Sequence, residues 1–141
     1  MRERILGLIG MMRKASALAL GEENTEEAIA KGKAKLLLLP KDTGEKARMR
    51  AERCMEGRNV CPIELPFTRE ELASAVGIGG CSMAAVTDIG FANALMKLLT
   101  EEDPEKYRPA AEEVRKRFEK VQRRKIEKPG AKAKKKTAGG K

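Results

Sequence analysis

Four consecutive leucines, Leu36 to Leu39, follow Lys35 and are stopped by Pro40. A run of this length and apolarity suits a buried strand, which helices elsewhere in the chain have to cover.

The flanking sequence supplies them. Arg2 to Lys14 carries Ile5, Leu8, Ile9 and Met12 at helical spacing. Ser16 to Leu20 reads as a short strand. Glu22 to Gly32 reads as a helix, with acids in its first turn, Lys31 in its last and Gly32 as C-terminal cap. Gly44 to Gly57 is a third helix with a thin apolar face of Ala47, Ala51, Cys54 and Met55, and Arg48, Arg50 and Arg53 largely outside it. Val60 to Leu65 is a strand whose Pro62 argues for an edge. Thr68-Arg69-Glu70-Glu71 is a capping box for a helix ending at Gly77. Met83 to Thr87 is the last strand and Gly90 to Leu99 the next helix.

Regular alternation of helices and strands argues for a mostly parallel sheet between helices. The expected architecture is α/β: a three-layer α/β/α sandwich on a four-stranded mixed sheet over residues 1–100. Leu37, Leu39, Val86 and Phe91 are expected in its core. A charged helix follows over 101–128, with Tyr107, Ala111, Val114, Phe118 and Val121 on one narrow stripe. Residues 129–141 contain only Gly, Ala, Lys, Pro and Thr, a composition that cannot bury enough apolar surface to fold alone.

Charge is distributed unevenly. The net charge is +9, of which residues 123–141 hold +8. The basicity therefore belongs to the tail, where lysine runs can bind phosphates without reading sequence. No apolar run approaches the roughly 20 residues of a membrane span, and Glu3 and Arg13-Lys14 bracket the N-terminal apolar run. The reading is an amphipathic helix in a cytoplasmic protein.

Catalysis and metal binding find little material. Histidine is absent, and the three cysteines, Cys54, Cys61 and Cys81, form no CxxC pair, so they read as buried reduced thiols. The acids Glu22, Glu23, Glu26 and Glu27 sit where a helix dipole favours them anyway. Gly77-Ile78-Gly79-Gly80 follows a helix and precedes a strand, the reverse of a dinucleotide-binding loop. It reads as a flexible turn, although an apolar loop with close-approaching backbone can also grip splayed bases.

The stretch Gly21 to Leu39 with Asp42, together with Cys54, Pro62, Leu72, Gly77 and Ala84-Ala85-Val86-Thr87-Asp88-Ile89-Gly90-Phe91-Ala92, resembles the kink-turn-binding ribosomal protein family, the pelota-type RNA-binding fold. Lys14 to Gly21 and the Thr-Asp-x-Gly-Phe-Ala segment resemble its bacterial YlxQ-like branch most closely. The resemblance covers residues 4–100. It implies the same sandwich, no catalysis, no cofactor, and binding of structured RNA, kink-turn or ribosomal, with the ribosome as a further expected partner; the chain itself is expected to be a monomer.

The resemblance also implies two contact regions. One is the N-terminus of the second helix: Gly21, Glu22, Glu23, Asn24 and Glu27, with Lys14, Lys33, Lys41 and Asp42 around it. The other is the loop Ile78, Gly79, Gly80, Cys81 and Ser82. The family signature there is Gly-x-Asn-Glu-x-x-Lys. Gly21 matches it, while Glu23, Asn24 and Glu27 replace the asparagine, glutamate and lysine. A carboxylate in place of an ammonium repels phosphate. A rival expectation keeps the scaffold but makes it a protein-interaction module, with the Tyr107 to Val121 stripe docking a partner.

Overall fold

The computed structural model describes residues 1–79 and 81–127. The elements are α1 (Arg2–Lys14), β1 (Leu18–Leu20), α2 (Glu22–Ala30), β2 (Leu36–Leu39), α3 (Glu45–Met55), β3 (Cys61–Glu64), α4 (Arg69–Val76), β4 (Ala84–Val86), α5 (Ile89–Glu102) and α6 (Pro104–Glu127). The four strands form one mixed sheet in the order β1-β4-β2-β3. Only β2 and β3 pair in parallel; β4 runs antiparallel to both β1 and β2. The mostly parallel sheet expected from alternation is thus corrected. A helix between two strands permits a parallel crossover but does not compel one, and β4 enters between β1 and β2 from the opposite end.

Pro62 does lie in an edge strand, where its missing N–H breaks no inner ladder. All four leucines of β2 are buried, and they divide by parity. Leu36 and Leu38 join α1, α4, α5 and α6 in one core, while Leu37 and Leu39 join α2 and α3 in a second. Successive side chains of a strand point to opposite faces, so one tetraleucine is the common wall of both cores. Val86 is fully buried, but Phe91 is only partly so, sitting at the rim of the larger core.

Local chemistry sets several helix ends. Thr68 caps α4 in a full capping box with Glu71, and that hydrogen bonding holds the Glu71 carboxyl below the usual range. Gly77, in the left-handed conformation at φ 76°, closes the helix. The guanidinium of Arg13 at the end of α1 donates to the carbonyl of Val76, joining α1 to the end of α4.

The stripe on α6 packs against its own domain. Tyr107 and Val114 are buried in the larger core, and the Tyr107 hydroxyl donates to the Glu64 carbonyl. Phe118 lies against Gly90 of α5. The first part of the stripe, Tyr107, Ala111 and Val114, is therefore covered by its own domain and is not free to dock a partner, while Val121 borders an open depression. The cysteines also depart from expectation. Cys81 is buried, but Cys54 and Cys61 are only half-buried; all three are free thiols. No helix among the described residues is long and apolar enough to cross a membrane.

Candidate nucleic-acid interface

The second helix begins at Gly21, whose backbone lies at φ 87° and ψ 167°, a region open in practice only to glycine. No side chain caps this end of the helix, so the first-turn amides remain directed out of it. The Gly21 amide donates to the Met83 carbonyl at 3.0 Å, just before β4. The Ser82 hydroxyl donates to Glu22 Oε2 at 3.2 Å. These bonds bring the start of α2 and the loop before β4 to one edge of the sheet. Asp42 lines an open groove with Ile78, Gly79, Cys81 and Ser82.

Within this surface the acids have different roles. Glu22 and Glu26 face α3, where Arg50 reaches back and binds both carboxylates. The Cys54 thiol adds a hydrogen bond to Glu26 at 3.2 Å. Hydrogen bonding from Arg50, then from Cys54, holds the Glu26 carboxyl down at about 2, and the same ion pairing pushes the Arg50 guanidinium higher still. Burial, with the Glu26 carboxylate beside it, pushes the Cys54 thiol up. This pairing gives Glu22 and Glu26 a structural role in joining α2 to α3. Arg50 stays outside the apolar face of α3, as expected, but its pairing with α2 is something a helical wheel cannot see because the partner lies 24 residues away.

Glu23 and Glu27 remain exposed, Glu27 pairing with Lys31 at 3.0 Å. Asn24 is exposed and donates one N–H to the Leu20 carbonyl at 2.9 Å. Its Oδ1 has no partner among the described residues. Lys33 and Arg13 line a groove with Asn24 and Glu27 along the edge strand β1.

The remaining expected residues divide between this surface and other places. Lys14 lines the groove between α1 and α4 with Gly10 and Glu71. Lys41 is exposed, and its amide is tied to the Phe67 carbonyl. Asp42 accepts from the Arg69 amide at 2.8 Å, which anchors the start of α4. Cys81 is buried, bonded to the Met83 carbonyl, and burial pushes its thiol up, so it supports the loop from beneath. Ile78 is half-buried against the larger core, Gly79 is exposed, and Gly80 lies outside the described residues. Arg13 and Arg50 were missed by sequence reasoning, and only the excess of acids at the start of α2 hinted that a cation should lie near.

No family model and no curated protein matches this sequence. Solved structures do. A Bacillus halodurans protein of unknown function is 26% identical, with a TM-score of 0.61, over 67% of this chain and 94% of that one. A 15.5 kD RNA-binding protein of Giardia lamblia is 15% identical, with a TM-score of 0.55, over 68% of this chain and 82% of that one. The chain shares its α/β/α fold with both.

Proposed function

We propose that this protein binds structured RNA, without chemistry of its own, on the edge formed by the start of α2 and the loop before β4. The observation that carries the reading is the bond from Gly21 to Met83, which sets uncapped helix amides beside an apolar glycine loop. Helix N-terminal amides suit phosphate, and an apolar loop suits an extruded base. The fold is one that an RNA-binding protein from Giardia lamblia also uses. Arg50 pairs with both Glu22 and Glu26 and offsets one of their two negative charges, which lowers the repulsion the four acids would otherwise present.

A sharply kinked RNA is the substrate class this edge fits, with ribosomal RNA the first candidate and the ribosome the corresponding partner in the cytoplasm. Membership in the YlxQ-like branch belongs to the same reading. The rival reading, a protein-interaction module, is less favoured because Tyr107, Ala111 and Val114 of its docking stripe already pack on the domain's own core. The test is a mobility-shift comparison of the full-length protein on a kink-turn RNA and on a straight duplex of equal length. A clear preference for the kinked RNA is expected; equal affinity for the two would remove the reading.

A further inference from the structure

A second depression lies at the end of the sheet where β2 begins, remote from the turn at Asp42 where it ends. We propose that it binds a single nucleotide, with the base against an apolar floor and the phosphate on three cations at the rim. The inference does not rest on the surface formed by the start of α2 and the loop before β4.

The floor is formed by Ile29, Val60, Ile89 and Val121, which come from α2, the entry to β3, α5 and α6. The rim carries Lys35, Arg58 and Arg117, with Asn59 between them. No carboxylate lines the cavity among the described residues, although Glu113 approaches Arg117 from outside at 3.6 Å.

Two guanidinium groups are already fixed at the rim. Arg58 donates to the Ala30 carbonyl at 3.2 Å, and Arg117 donates to the Asn59 carbonyl at 3.2 Å and to its side-chain oxygen. Fixed cations lose less freedom on binding, and a guanidinium offers paired donors to a phosphate. The Asn59 side-chain oxygen is taken by Arg117, which leaves its amide N–H groups for a base edge.

Size and polarity restrict the ligand. The cavity measures about 220 Å³. An apolar cavity of roughly 150 Å³ takes up benzene, so one base fits here and a duplex does not. Inorganic phosphate would leave the apolar floor unused, and a neutral apolar ligand would leave three cations unused. A flat ring joined to an anionic group uses both, because the ring covers the aliphatic floor and removes it from water while the anion meets the cations.

The experiment is a nuclear magnetic resonance titration of the full-length protein with AMP, UMP, adenosine and inorganic phosphate. The two nucleotides are expected to shift the amide signals of Lys35, Arg58, Asn59 and Arg117 saturably, with adenosine and phosphate at least about tenfold weaker. Arg58→Glu, at an exposed position, should lose about tenfold in AMP affinity or more while its circular dichroism stays unchanged. Lys35→Gln gives a second reading if that variant folds poorly. Phosphate binding as tightly as AMP would overturn the proposal. So would shifts confined to Gly21–Glu27 and the loop before β4, or full affinity in both variants.

Discussion

The amide of Gly21 donates to the carbonyl of Met83 at 3.0 Å, and this one bond ties the start of α2 to the start of β4. Gly21 can make it because its backbone takes φ 87° and ψ 167°. A Cβ at Gly21 would meet nothing within 4 Å. The Gly21→Ala variant therefore suffers conformational strain without a clash. It should lose about 1–3 kcal/mol of stability in denaturant unfolding and weaken RNA binding as the helix end shifts. Unchanged values for both would mean that the turn is not under strain.

Glu26 provides a test in acid. Its folded carboxyl titrates at about 2, below the ordinary 4.5, chiefly through its hydrogen bond with Arg50. A depressed folded pKa adds stability above the unfolded value that is lost as pH falls toward the folded one. Stability should thus decline between pH 4.5 and about 2. In Arg50→Met the Glu26 titration, followed by carboxyl resonances, should return toward 4.5 and that part of the decline should vanish.

Glu27 is exposed and its pair with Lys31 is a surface contact, worth only about 0.3–0.5 kcal/mol. Glu27→Lys should accordingly leave the fold almost unaltered. Its affinity for kink-turn RNA should rise by about 1 kcal/mol or more, because repulsion of phosphate becomes attraction. Ile78→Asp should weaken the same binding. Because Ile78 packs against the larger core, its unfolding curve has to be measured beside its affinity. If neither variant changes RNA affinity, the interface lies elsewhere.

Tyr107 reports on the docking of α6. Burial, with Glu64 and the acids near Asp103 adding to it, pushes its hydroxyl up to about 12 from 10. A raised folded pKa gives stability that is full below the unfolded value and lost as pH rises toward the folded one. The α5–α6 contact should therefore loosen between pH 10 and about 12. The chain has one tyrosine and no tryptophan, so phenolate absorbance follows this single group. Ionisation at an ordinary 10 would show that α6 is not docked as described.

The basic C-terminal segment allows a separate measurement. Removing residues 123–141 takes away +8 of charge. If those lysines and arginines touch RNA, affinity falls and the log–log salt slope flattens by roughly 0.7–0.9 for every phosphate that is no longer neutralised. The same slope in both proteins would show that RNA is held by the folded domain alone.

The sequence by itself determined the helices and strands, the burial of the leucine strand, the capping box at Thr68 and the edge position of Pro62. These follow from periodicity, propensity and turn chemistry, which act over a few residues. The pairing of Gly21–Glu27 with the loop before β4 was legible only through the family resemblance. The tertiary structure alone decided three things: that two of the three strand pairings are antiparallel, that Arg50 pairs with Glu22 and Glu26 of α2, and that Tyr107, Ala111 and Val114 of the α6 stripe are covered by their own domain. Each depends on which distant surfaces meet. An amphipathic stripe states that a helix must be covered, and a row of carboxylates states that cations are welcome. Neither carries the identity of its partner, because that is settled by the packing of the whole chain around one sheet.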